Sequence, residues 1–139
     1  MLDLQQIHTK MVDSSRVAGK VLATVISYYP GRGEDGTDEA LCDAGGIAMS
    51  KDTGPIKGYG WVRGGEWYLK SIPQEHGILA QGPEGGNSGP SIKIGDKVEI
   101  VGQHACMIAA GHPRYYIVDS STEEDAKRVV DVWVPCKGW

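Results

Sequence analysis

His104 and Cys106 stand two positions apart in "VGQHACMIAAGH", residues 101–112. An imidazole and a thiol are the borderline and soft donors that zinc prefers, so the pair reads as a candidate Zn2+ site. Closed structural zinc sites take four ligands, whereas a site of two or three leaves positions open for water or substrate and has the catalytic form. The plain alternative is two core side chains. On a strand, residues i and i+2 share a face, and both could simply point into a barrel.

Four other residues have types that could serve such a centre. His76, in "PQEHG", is a third ligand, a proton shuttle or a core histidine. Glu75 beside it is a general base, a carboxylate fixing an imidazole tautomer, or a surface glutamate. Neighbours on a strand face opposite ways, so both reach one pocket only if the backbone turns, which Gly77 permits. Asp43, in "CDAG", lies in an apolar, glycine-bounded stretch where a lone carboxylate is costly, so it is a site residue or a turn anchor. Tyr59, between two glycines, could reach a ligand hydroxyl or fill the barrel rim. His8 and His112 have terminal and loop contexts, and Cys42 and Cys136 read as buried thiols.

The scaffold for these residues must come from 139 residues, one domain by length (1–139) and enough for a real core. Twenty glycines and no phenylalanine point to many tight turns between short strands. Residues 19–30, "GKVLATVISYYP", are β-branched and end in Pro-Gly, as a strand does. "GRGEDGTDE" is an acidic, solvated loop, and "ALCDAGGIAMSKD" a buried strand with a turn. "GYGWVRGGEWYLKSIPQEHGILA" fits a hairpin about Gly64 and Gly65. "QGPEGGNSGPS" is a breaker segment. "IKIGDKVEIVGQH" reads as strand, Gly-Asp turn, strand, and "RYYIVDS" and "VVDVWVP" as further strands. "STEED", ahead of the last of these, reads as a brief turn rather than a capped helix start. Only residues 3–13 suit a helix. The expected fold is mainly all-β, a closed or nearly closed antiparallel barrel with a short N-terminal helix, since closure removes exposed edges.

Charge narrows the partners. Fourteen basic against eighteen acidic residues give a net charge of −4, with no basic stripe to meet phosphates, so no nucleic acid is expected. No run of 18 apolar residues spans a membrane, and the N-terminus is too polar for a secretory signal. Three cysteines without framework spacing favour a reducing compartment, and cytoplasmic localisation is the expectation.

Taken in order, "VLATVISYYP", "DAGGIAMSKD", "GYGWV", "PQEHG", "IGDKVEIVGQHAC" and "DVWVPCKGW" resemble the C-terminal domain of D-serine dehydratase-like enzymes. These are fold-type III pyridoxal-phosphate enzymes related to alanine racemase and D-threonine aldolase. The resemblance runs from about Leu2 to the end. It implies that His104 and Cys106 are a zinc pair. It also implies a small barrel serving an active site whose lysine and phosphate cup lie on a separate (β/α)8 barrel, absent from these 139 residues. Gly102-Gln103 departs from the family's usual Pro-Asn, and the acidic stretch around residues 34–38 is an insertion.

Three functions follow as expectations. The first is a stand-alone zinc enzyme, a lyase, dehydratase or cyclase acting on a small hydroxylated carbonyl substrate without pyridoxal phosphate. Met1 directly before the matching residues and the terminal "GW" are its support. The second is the zinc-binding domain of a complete pyridoxal-phosphate lyase. The third is a non-catalytic, zinc-stabilised binding module. A homodimer is expected in each case, because the face that docks on a larger partner should be apolar.

Overall fold

The structure is a computed structural model that describes residues 2–64, 66–82, 92–119, 121 and 127–136. Six strands, β1 (Val21–Tyr29), β2 (Glu39–Cys42), β3 (Gly60–Val62), β4 (Trp67–Ser71), β5 (Gly77–Gln81) and β6 (Lys97–Gly102), close into a barrel in the order β1-β2-β5-β4-β3-β6. Every pairing is antiparallel. Alternation explains the closure. Val21, Ala23 and Val25 of β1 face inward while Leu22 and Ile26 stay exposed, and Leu69, Leu79 and Ile100 from three other strands fill the same interior. Bulges between Val25 and Ser27 and between Leu69 and Ser71 add the bend that a barrel this small requires.

The expected hairpin is β3–β4, with Trp61 opposite Tyr68 and Gly64 at φ +72° in its turn. The neighbouring Gly65 lies outside the described residues, as do 83–91 of the breaker segment and 122–126 of the possible helix start. Residues 92–94, expected as a strand, form none. They lead into a turn in which Asp96 accepts a hydrogen bond from the Lys93 amide, and only the stretch after Gly95 joins the barrel.

The N-terminal helix α1 is confined to Leu4–His8, followed by a 3-10 turn at Ser14–Arg16. A second helix, α2 (Ala105–Gly111), was not expected. Its "ACMIAAG" has good helix formers and a stop at His112-Pro113, but seven residues apolar on most sides show no helical period. The last two strands do not join the barrel. β7 (Tyr115–Val118) and β8 (Val129–Trp133) pair with each other as a separate two-stranded sheet.

Candidate metal centre

The strand registers place the sequence-selected residues at one rim. Val25 pairs with Cys42, Cys42 with Gly77, and Gly60 with Gly102. The segments after β2, before β3, before β5 and after β6 therefore leave the barrel at the same end. They carry Asp43, Tyr59, Glu75 with His76, and His104 with Cys106 respectively. Gly45 allows two of these segments to touch, because a Cβ there would lie 2.6 Å from the His76 amide nitrogen. The Gly46 amide donates to the Pro73 carbonyl at 2.7 Å, and that of Ile47 to Gln74 at 3.2 Å. One residue further, the Ala48 carbonyl accepts from His112 Nε2 at 3.0 Å at the end of α2.

His104 and Cys106 do not share a strand face. The chain leaves β6 at Gly102, His104 is the N-cap of α2, and Cys106 is the helix's second residue, exposed. The core-strand alternative is thereby corrected: the unforeseen helix lifts both donors out of the barrel. His104 Nδ1 lies 2.9 Å from Asp52 Oδ2. A carboxylate only accepts, so in the neutral ring the proton sits on Nδ1 and Nε2 keeps its lone pair. Such a carboxylate behind a histidine is the usual companion of a metal-bound imidazole. Nothing local singles out Asp52, the last residue of "DAGGIAMSKD", because it lies 52 positions from His104 and only the fold brings the two together.

Gln103 holds that loop. Fully buried, its Nε2 donates to the carbonyls of Ile56 and Gly58, both at 2.8 Å. Gln103 is thus the strut between β6 and the loop that carries Asp52.

The remaining candidates divide. Asp43 is exposed rather than enclosed, and its Oδ1 accepts from the Thr24 amide at 2.6 Å while its own amide donates to Thr24 O at 3.1 Å. That geometry matches a turn anchor between β1 and β2. Tyr59 packs half-buried against the core, and its amide donates to Leu69 O at 2.8 Å. Glu75 is exposed and His76 half-buried. His112 is occupied by Ala48, and His8 is exposed at the end of α1. Cys42 is buried, and burial pushes its thiol pKa up, whereas Cys136 is exposed, contrary to expectation, because the strand before it lies outside the barrel.

Zinc fits the donor set of the pair: one imidazole nitrogen free and oriented, one accessible thiol. Among the described residues no group of three or more His, Cys, Asp and Glu side chains is arranged to hold a metal. A separate cleft of about 260 Å³, lined by Glu34, Thr37, Lys57, Tyr68, Lys70, Ala80 and Gln81, includes none of the candidates. Lys20 and Lys70 are engaged by Glu99 and Glu39, each at 2.9 Å, and Lys97 by Thr24 at 2.6 Å. No helix among the described residues is long and apolar enough to cross a membrane.

Comparison with known proteins agrees with this frame. Residues 18–118 match the family described as "Putative serine dehydratase domain". The D-serine dehydratase of Schizosaccharomyces pombe is 41% identical over 146 residues, covering 100% of this chain and 32% of the relative. A solved D-threo-3-hydroxyaspartate dehydratase, in a His-to-Ala variant, superposes with TM-score 0.78 at 29% identity over 100% of this chain and 36% of its own. A Cys-to-Ala variant of that dehydratase, altered two positions further on, is described as metal-free and superposes at TM-score 0.77 with 28% identity, covering 100% of this chain and 37% of its own. An alanine racemase-like protein from Idiomarina loihiensis shares the fold at TM-score 0.69 and 28% identity, over 84% of this chain and 32% of its own. The chain spans about a third of the length of the curated relatives it matches.

Proposed function

Because the chain belongs to the serine dehydratase domain family, we propose that it is the metal-carrying barrel of a D-serine dehydratase-like lyase. The substrate class is a small β-hydroxy D-amino acid, of which D-serine and D-threo-3-hydroxyaspartate are the ones named for relatives. The relatives favour this reading over a stand-alone, pyridoxal-phosphate-free enzyme, since in each of them the matched segment is about a third of the chain. The pyridoxal-phosphate lysine belongs, in this reading, outside these 139 residues, and no step is assigned to a lysine of the barrel.

The observation that carries the metal assignment is His104, with Nδ1 engaged by Asp52 and Nε2 free, two positions from the exposed Cys106. His104 and Cys106 would hold the zinc, which when bound would supply Lewis-acid chemistry toward a hydroxylated substrate. Asp52 orients the imidazole. Glu75 and His76, on the loop that packs against residues 45–47, are the proton carriers of the rim. Tyr59 lines it, and Asp43 keeps the β1–β2 end in place. A cytoplasmic homodimer completes the reading, supported by the exposed apolar side chains of β7 and β8.

Metal analysis tests the proposal. Close to one zinc per chain is expected, lost in His104→Ala and Cys106→Ser. Asp52→Asn should weaken zinc by about 10- to 100-fold, the usual cost of removing such a partner. His76→Ala lowers zinc content only if His76 is a ligand. Protein that takes up no zinc in a titration rejects the assignment, and a monomer mass by light scattering at all concentrations rejects the dimer.

A further inference from the structure

Asp3 is only 5% exposed, and both its carboxylate oxygens are used. Oδ1 accepts from the Gln6 amide at 3.2 Å and caps α1. Oδ2 accepts from the Ala105 amide at 3.0 Å, across 102 positions of sequence. Ala105 is the residue between His104 and Cys106, and its amide belongs to the first turn of α2, where backbone donors have no partner within the helix. The N-cap His104 makes no side-chain cap hydrogen bond. One buried carboxylate therefore closes the starts of two helices at once. Leu4, fully buried against Val17 and Val101, fastens the N-terminal segment that delivers it.

We propose that Asp3 is a positioning residue for a metal on His104 and Cys106, fixing the peptide between the two donors and hence their mutual orientation. The inference rests on the metal reading above. The physical argument is local. With Oδ2 removed, the Ala105 amide loses this acceptor, the first turn of α2 is free to fray, and Cys106 moves relative to His104. The metal site is thus coupled to the docking of α1, although α1 contributes no donor to it.

Asp3→Ser separates capping from positioning. Serine still caps α1, reaching Gln6 within its own turn, but is too short for Ala105. The expected result is a cooperative thermal transition and a folded barrel, faster amide exchange at Ala105 in metal-free protein, and zinc affinity reduced by about 10- to 100-fold. The cobalt-substituted variant should also show a weakened sulfur-to-metal charge-transfer band. Asp3→Asn, equal in volume but with a single acceptor oxygen, should fall between wild type and Asp3→Ser, and supplies the measurement should the serine variant not fold. Faster exchange at Ala105 with zinc affinity within about twofold of wild type overturns the proposal while leaving the metal reading standing. Wild-type protein that binds no zinc overturns both, and is seen before any substitution is made.

Discussion

The barrel and the β7–β8 hairpin are built from the same kinds of residue, yet only one of them buries what it carries. In the barrel, alternate side chains meet inside a closed sheet, so Val25, Leu69, Leu79 and Ile100 are almost wholly hidden. In the hairpin, Tyr116, Val118, Val129, Val130, Val132 and Trp133 are all at least 40% exposed. Both are antiparallel sheets interrupted by bulges, and β-branched and aromatic residues favour extended chain in both. Strand propensity makes a strand, but closure around a shared interior makes it stable, and an isolated two-stranded sheet is marginal in water. Tyr115 links the hairpin to the rim, its hydroxyl donating to Ala109 O of α2 at 2.9 Å.

The contrast can be broken most directly in the barrel interior. Leu69→Ala removes a fully buried side chain and should lower stability by about 2–5 kcal/mol in denaturant titration, as large-to-small core changes do. An unchanged midpoint would mean that the interior is not the stabilising element.

On the barrel's outer face the expected effect is smaller and depends on pH. Burial pushes the Glu99 carboxyl up, but hydrogen bonds and charge from Lys20 at 2.9 Å and Arg63 at 3.2 Å outweigh it and hold the pKa below the usual glutamate value. A depressed folded pKa contributes stability above the unfolded value, about 4.3, and that stability is lost as pH falls through the folded value. Wild-type protein should therefore show an acid-side decline in thermal midpoint that Glu99→Gln partly lacks. Because Glu99 is 39% exposed, the difference should stay below about 1 kcal/mol. Parallel pH profiles for the two proteins would show that the pair contributes nothing.

The smallest effect belongs to the hairpin. Trp133→Ser alters a side chain 58% exposed on β8, and the barrel's unfolding midpoint should move by less than about 0.5 kcal/mol. A loss approaching that of Leu69→Ala would show that the two sheets unfold as one unit and sharpen the view of what covers the hairpin.

Much of this was legible in the chain. Alternation in "VLATV" and "KVEIV", the Gly-Gly turn and the glycine spacing pointed to a closed antiparallel barrel, because a period of two needs only neighbouring residues to be seen. The ordered motifs carried the family in the same way. The reading failed where short apolar segments lack a period. "ACMIAAG" carries no signal of the helix that forms there, and "VVDVWVP", rightly a strand, pairs with β7 outside the barrel.

From its residues alone, then, the chain specified strands, turns, a His-x-Cys pair and a family, all of which depend on local pattern. Tertiary structure decided the rest. It gathered Asp43, Tyr59, His76 and the pair at one rim, and it set Asp52 on the His104 ring and Asp3 on the Ala105 amide. Those contacts join positions 52 and 102 residues apart. Whether a carboxylate meets an amide or an imidazole at such separation follows from how the barrel closes and where its loops return, which no local spacing encodes.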